Sequence, residues 1–144
     1  MKRCLVDVNV VLALMVRQHV HHDVALTWFD GLAAGEAGLC RFVQLAVIRL
    51  LGNHAVMSEH AVAARVAWRL IDDLLQDERL EFLAEPSGVD SILPQLFKHP
   101  VPTGKLVADA YLAAFAMAAS FRVVTLDAGF RQFKGLTVDL LHAG

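Results

Sequence analysis

A single carboxylate interrupts the longest apolar stretch of the chain. The stretch extends from Leu106 to Phe121, and its Ala and Leu content predicts a helix from Lys105 to Ser120 that is apolar on every face except at Asp109. Such a helix has to be covered by other layers of secondary structure. An unpaired ionised carboxylate is costly there, so Asp109 must be protonated, paired with a base, placed at an exposed helix start or bound to a cation.

Strands and helices alternate along the rest of the chain. Apolar runs predict strands at residues 4–6, 38–40, 79–83, 122–126 and 136–140, and helical spacing predicts helices at residues 10–16, 22–34, 42–51, 59–75 and 89–96. This alternation predicts an α/β fold with a mostly parallel central sheet. Since no linker or repeat is visible in the 144 residues, we expect a single domain over residues 1–144.

Charge and cysteine content limit the kind of protein this can be. The 13 Lys and Arg against 15 Asp and Glu give a formal net charge of -2, which excludes binding of nucleic acid by bulk charge alone. Cys4 and Cys40 lie in separate apolar runs, a pattern that excludes a disulfide framework and indicates reduced thiols in a cytoplasm. The longest apolar stretch is shorter than the roughly 20 residues of a membrane helix, so we expect no membrane span.

The apolar content is high for a chain of this size. Hydrophobic residues make up 56% of the chain, and the mean hydropathy is +0.49. Small domains have a large surface relative to their volume, so part of this apolar surface is expected to contact a partner. The amphipathic helix predicted over residues 59–75 favours either a homodimer interface or a groove for a partner helix.

Two further aspartates, Asp7 and Asp127, each close an apolar strand. Ligands of open parallel sheets bind beyond the carboxyl ends of the strands, where helices also begin. We therefore expect Asp109, in the first turn of its helix, to meet both in one cleft. Three converging acids repel one another, and a hard cation such as Mg²⁺ relieves that repulsion. Pairing with an Arg, helix capping and turn formation are ordinary explanations for these acids taken singly, and the residues alone leave both interpretations open.

Four segments in a fixed order carry a family resemblance. They are LVDVNV at residues 5–10, VQLAVIRLL at residues 43–51, DAYLAAFA at residues 109–116 and VTLDAGF at residues 124–130. In these segments the chain resembles the PIN-domain ribonucleases, and among them the VapC-like toxins of bacterial toxin-antitoxin pairs. The resemblance covers nearly the whole length and implies a three-layer α/β/α PIN-like domain.

The resemblance also implies a metal site. In such proteins the acids that match Asp7 and Asp109 hold Mg²⁺ or Mn²⁺, and the acid that matches Asp127 completes the site. The family expects a Glu early in the third helix, where this chain has Gln44. A neutral amide oxygen is then the candidate catalytic ligand at that position, which leaves a site of three acids and an open number of metal ions.

The implied reaction is hydrolysis of an RNA phosphodiester by metal-activated water. Asn9 and Thr125 are candidates for hydrogen bonds that orient the carboxylates. Arg49 and Lys105 are candidates for contacts with substrate phosphates, whereas Arg41 is expected to be a solvated cation or one at the edge of the core. The implied partners are an RNA substrate, a cognate antitoxin protein and a second copy of the chain in a homodimer.

Two other functions stay open. Asp7-Val8-Asn9-Val10 after a strand is similar to the nucleophile motif of haloacid dehalogenase-like phosphatases, although Asn9 replaces the usual second Asp and the chain lacks room for the usual cap. A catalytically inactive PIN-like binding module is compatible with Gln44. The histidine-rich segment 19–23 is interpreted as loop polarity rather than a metal site, because neighbouring loop residues point in different directions.

Overall fold

The computed structural model describes residues 2–98 and 104–142, and its centre is a parallel sheet of five strands. The strands are β1 (Cys4–Val6), β2 (Ala37–Cys40), β3 (Leu80–Leu83), β4 (Arg122–Thr125) and β5 (Val138–Leu140). They lie in the order β3-β2-β1-β4-β5, and each neighbouring pair is parallel. This confirms the α/β fold with a parallel central sheet that the alternating pattern predicts.

Helices surround the sheet. They are α1 (Val8–Met15), α2 (His22–Asp30), α3 (Arg41–Leu51), α4 (His54–Met57), α5 (Ala64–Leu74), α6 (Val89–Leu96) and α7 (Lys105–Ala119), with short 3₁₀ helices at Ser58–His60 and Ala128–Gln132. Helix α6 packs on α7, whereas α1 packs on α2 and α3, and α3 packs on α5. The result is the expected three-layer α/β/α arrangement. No helix in the described part of the chain is long and apolar enough to cross a bilayer.

The helix predicted over residues 59–75 is wrong in its first part. Helix α5 begins only at Ala64, because Ala63 has an extended backbone with ψ of 151°. The amide of Val62 donates to the carbonyl of Leu51 at 2.9 Å, so it pairs with the end of α3 instead of forming a bond within a helix. Tertiary hydrogen bonding therefore overrides the helical spacing of this segment.

The middle strands and the apolar helix form the core. Cys4, Leu5 and Val6 of β1 are buried, and both cysteines are free thiols. Helix α7 contacts β1 and β4, and its residues 112–116 are all buried. The prediction that this helix is covered is confirmed for that face, while Val107 near its start is half exposed. The start of α7 is therefore accessible at the same rim as the ends of β1 and β4.

Gly38 provides a test of the sheet geometry, because β2 and β3 approach closely there. A Cβ at Gly38 would lie 2.5 Å from Cγ of Leu83 and 2.9 Å from the backbone oxygen of Glu81. We expect Gly38→Ala to lower the free energy of unfolding by about 1–3 kcal/mol, because the backbone oxygen cannot move without breaking the strand pairing.

Urea denaturation followed by circular dichroism measures this effect. Gly31→Ala is the matched control, since its Cβ would meet only the backbone oxygen of Trp28 at 3.6 Å. We expect that variant to stay within about 0.5 kcal/mol of the unmodified protein. Equal stability of the two variants would contradict the close approach at Gly38.

Candidate active site

One pocket lies beyond the carboxyl ends of β1 and β4, and it has a volume of about 270 Å³. Asp7, Asp109 and Asp127 all line it, together with Arg49 and Lys105. Two larger cavities of about 520 Å³ lie elsewhere, but the described lining of each contains a single carboxylate. The structure therefore brings the three predicted aspartates and both predicted phosphate-binding cations to one pocket.

Asp7 ends β1 and caps helix α1. Its Oδ1 accepts a hydrogen bond from the Val8 amide at 2.7 Å, and its Oδ2 accepts one from the hydroxyl of Thr125 at 2.7 Å. The side chain is only 6% exposed. Burial raises the pKa of Asp7 above its ordinary value, and the bonds from Thr125 and Val8 oppose that rise only in part.

Thr125 links two of the acids through one hydroxyl. Its fully buried Oγ1 donates to Asp7 and accepts from the backbone amide of Asp127 at 2.9 Å. The Asp7 amide also donates to the carbonyl of Val124 at 2.9 Å, which fixes the end of β1 against β4. The orientation of the Asp7 carboxylate is therefore set by the pairing of these two strands.

Asp109 is the fifth residue of α7, one position beyond the first turn in which the sequence placed it. It is therefore not the cap of its helix, and among the described residues no hydrogen bond or ion pair to its carboxylate is found. Partial burial and the negative charge of Asp7 raise the pKa of Asp109 to about 6, against an opposing effect of Lys105. Of the four explanations open to this carboxylate, protonation and a bound cation are left.

Asp127 is paired with a lysine. Its Oδ1 caps the short 3₁₀ helix by accepting from the Gly129 amide at 2.8 Å, and its Oδ2 accepts from Nζ of Lys105. Lys105 and the Gly129 amide lower the pKa of Asp127, and Asp127 in turn raises the pKa of Lys105. Asp127 therefore does cap a helix, which is one of the ordinary explanations for such an acid. Lys105 forms an ion pair with this acid of the pocket.

The donors of this pocket fit a hard cation. Oδ1 of Asn9 is buried and has no hydrogen-bond partner within residues 2–98 and 104–142, and Asn9 lines the pocket beside Asp7 and Asp109. A buried amide oxygen without a donor is costly, and a cation would satisfy it. All three side chains offer oxygen, the ligand that Mg²⁺ and Mn²⁺ prefer.

No three His, Cys, Asp or Glu side chains within residues 2–98 and 104–142 form a group that would hold a metal ion by themselves. A cation here would need further oxygens, such as the Asn9 amide, water or a substrate phosphate, which is the usual environment of Mg²⁺ in proteins.

Gln44 is bound by a cation from its own helix. It is buried in α3, its Oε1 accepts from Nη1 of Arg41, and the described lining of the pocket does not include it. The Arg41 guanidinium lies over the rings of Phe82 and Trp68, at 4.7 Å and 5.8 Å from their centroids. Gln44 is therefore engaged by Arg41, whose guanidinium lies beside β3 and α5.

Most of the chain matches a known protein family. A family profile described as the PIN domain matches residues 4–136. The chain belongs to the PIN-domain family. It is 36% identical over 142 residues to Ribonuclease VapC41 of Mycobacterium tuberculosis, with 95% of this chain and 97% of that protein covered. The haloacid dehalogenase alternative is not favoured by this result.

Solved structures show the same fold. The Mycobacterium tuberculosis VapC20 structure, described as a sarcin-ricin loop cleaving toxin, has a TM-score of 0.67 at 16% identity and covers 93% of this chain and 96% of that one. A toxin-antitoxin complex from Klebsiella pneumoniae has a TM-score of 0.59 at 12% identity and covers 94% and 95%. At these identities, the likeness supports the PIN fold alone.

The pocket of this PIN domain also contains an aromatic side chain that the sequence pattern did not single out. Phe42 belongs to the helical run predicted over residues 42–51, and it lines the pocket with 37% of its surface exposed. Its spacing from Arg49, about two helical turns along, was the available signal that both side chains lie on one face.

The histidines of segment 19–23 make hydrogen bonds with nearby backbone groups, such as the contact of His22 Nδ1 with the Ala13 carbonyl at 2.8 Å.

The Thr125 hydroxyl gives a testable prediction for this PIN domain. Thr125→Val keeps the shape but removes the donor to Asp7 and the acceptor for the Asp127 amide. We expect the pKa of Asp7 to rise further and the free energy of unfolding at about pH 7 to fall by about 1–3 kcal/mol.

Carbon-13 NMR titration of the Asp7 carboxyl group and urea denaturation measure the two effects. Thr125→Ser is the control that retains the hydroxyl. An unchanged pKa of Asp7 in Thr125→Val would show that the hydroxyl does not hold this carboxylate.

Asp109 predicts a pH dependence of stability in the absence of divalent cations. Its pKa rises from 3.8 to about 6 in the folded protein. Protonation of Asp109 therefore stabilises the fold fully when the pH is below the ordinary pKa of 3.8, and this stabilisation is lost as the pH rises through about 6. We expect Asp109→Asn to flatten this loss and, after allowance for solvent screening, to be more stable at neutral pH by about 1–2 kcal/mol.

Urea denaturation in EDTA from about pH 4 to about pH 8 tests this expectation. Asp72→Asn on the exposed side of α5 is the matched control. If the unmodified protein and Asp109→Asn lose stability in parallel over this range, the pKa of Asp109 is not raised.

Proposed function

We propose that this protein is a VapC-type endoribonuclease that hydrolyses RNA phosphodiester bonds with the help of Mg²⁺ or Mn²⁺. The observation that carries the proposal is the pocket in which Asp7, Asp109 and Asp127 meet at the carboxyl ends of β1 and β4. The identity of 36% to Ribonuclease VapC41 over nearly the full length of both chains supports the reaction class.

Asp7, Asp109 and Asn9 are the groups that would hold the cation. Each carboxylate oxygen has two lone pairs, so Asp7 can bind a cation while it accepts from Thr125 and Val8. The bound cation would supply Lewis acidity to a phosphoryl oxygen and lower the pKa of a water molecule beside it. A cation would also favour the ionised form of Asp109.

Lys105 and Arg49 provide the positive charge that the net composition lacks. Both line the pocket, and most of the Lys105 side chain is exposed. Lys105 is paired with Asp127 in the structure. We propose that it exchanges this contact for a substrate phosphate oxygen, which leaves the ionised Asp127 carboxylate to complete the acidic site. Arg49, which lies on α3, binds a second phosphate oxygen.

The partner that we propose is an antitoxin protein. One of the solved structures with this fold is described as a toxin-antitoxin complex, which supports a protein partner. Leu70 of α5 is nearly half exposed, and it borders a groove of about 520 Å³ together with Val62 and Leu74. This apolar surface is available to an antitoxin helix or to a second copy of the chain in a homodimer.

A catalytically inactive PIN module is the competing function, and the engagement of Gln44 by Arg41 is the observation that favours it. An inactive module would bind RNA without cutting it. Cleavage of RNA by the purified protein therefore separates the two functions.

The experiment is cleavage of end-labelled RNA with added Mg²⁺ or Mn²⁺. We expect Asp7→Asn and Asp109→Asn each to lower the rate by about 100-fold or more, because each removes a charge that holds the cation. EDTA should abolish cleavage, and the products should carry 5′-phosphate and 3′-hydroxyl ends.

Asp72→Asn is the matched control, since it changes the same charge on the exposed side of α5. Calorimetric titration with Mn²⁺ provides a second readout, in which Asp109→Asn should bind the ion more weakly than Asp72→Asn does. Cleavage that survives both EDTA and Asp109→Asn would contradict the proposal.

A further inference from the structure

An exposed aromatic ring lies at the edge of the acidic pocket. Phe42 is the second residue of α3, it lines the pocket, and 37% of its surface is exposed. The rings of Phe115 and Phe130, by contrast, are fully buried. Exposing part of a ring forgoes some of the stabilisation that burial would give, so a ring left open beside charged groups is available to a ligand.

The Phe42 ring is braced from one side. The rings of Tyr111 and Phe42 meet in an edge-to-face arrangement, with 5.9 Å between centroids and an interplanar angle of 60°. Tyr111 is itself held, because its hydroxyl donates to Glu85 at 2.6 Å and its ring packs on the buried Phe115 at 6.2 Å. A ring that is already positioned loses little conformational entropy when a second ring stacks on it.

The surroundings of Phe42 fit a nucleotide. Arg49 lies about two turns further along α3 and lines the same pocket, so a guanidinium and an aromatic face are presented together on one side of the helix. The rest of the lining combines the acids with the apolar side chains of Leu12, Leu50 and Leu112. A flat base joined to a phosphate offers the partner for each group, by stacking on the ring and by ion pairing with the guanidinium.

We propose that Phe42 stacks on the nucleobase next to the scissile phosphate and that Arg49 binds the phosphate of the same nucleotide. This inference rests on the proposed ribonuclease function and specifies its substrate. A base inside a duplex is stacked on its neighbours and cannot reach the ring, so the RNA at the cleavage site must be unpaired. Phe42 thereby selects single-stranded RNA, while the acids carry out the chemistry.

Binding of a single-stranded RNA that carries 2-aminopurine beside the cleavage site tests this assignment. The fluorescence of this base analogue is quenched when it stacks. In the Asp109→Asn background, which limits cleavage, we expect Phe42→Ala to weaken binding by about 10-fold or more and to abolish the quenching. Phe42→Trp retains an aromatic face and should retain both properties.

Phe97→Ala is the matched control, since Phe97 is 44% exposed and lies outside the described lining of the pocket. It should leave RNA affinity and quenching unchanged. A duplex of the same sequence should bind more weakly than the single strand and be insensitive to Phe42→Ala. Unchanged Mn²⁺ binding by Phe42→Ala would show that the acidic site is intact.

Equal affinity and equal quenching in Phe42→Ala and Phe97→Ala would overturn the stacking role while the ribonuclease proposal stands. Loss of self-association in Phe42→Ala, with RNA binding unchanged, would assign the ring to an interface between copies of the chain and also overturn it. If the protein without substitutions neither binds nor cuts RNA, the ribonuclease proposal itself fails.

Discussion

The hydrogen bond from the Thr125 hydroxyl to Asp7 joins the parts of this structure on which its pocket depends. It connects the ends of β1 and β4, the two strands at the centre of the sheet, and the same hydroxyl receives the amide of Asp127. A carboxylate as buried as that of Asp7 would be strongly destabilising without such donors. The direction of the Asp7 carboxylate therefore depends both on the pairing of β1 with β4 and on the start of α1.

Around this bond the three acids differ in their environment. Asp7 has two donors but is desolvated, Asp127 has a lysine and a backbone amide, and Asp109 has no partner among the described residues. The pKa values of Asp7 and Asp109 are raised while that of Asp127 is lowered. Asp7 and Asp109 are therefore the two acids whose ionised form the surrounding protein stabilises poorly. Asn9 adds an amide oxygen that has no partner within the described ranges. A hard cation would satisfy the oxygens of these three side chains together.

Several features followed from the sequence because they depend on local pattern. The order of strands and helices, the parallel sheet and the position of the acids at strand ends result from periodicity of apolar residues and from the rules of chain connection. The limits of that reasoning appear where long-range contacts compete with local preference. The amide of Val62 pairs with the end of α3, and the helix expected from residue 59 begins only at Ala64.

The same limit applies within the pocket. Lys105 was expected to bind phosphate, and its contact with Asp127 depends on how α7 lies against β4. Gln44 matched the position of an acid by alignment of motifs, yet the guanidinium of Arg41 engages its amide. The exposure of Phe42 depends on how closely α7 approaches α3. The apolar periodicity of these two helices does not predict that distance.

The sequence by itself therefore determined the α/β class and the buried helix with its single carboxylate. It also determined that the three aspartates lie near the ends of two strands and the start of a helix at one edge of the sheet. Those features are set by which residues are apolar and at what interval, and that information is local. Only the tertiary structure decided that Asp109 has no partner in the part of the chain that it describes, that Lys105 neutralises Asp127 and that Phe42 borders the pocket. Each of these outcomes depends on the distance between side chains far apart in the chain, and that distance is set by packing of the layers.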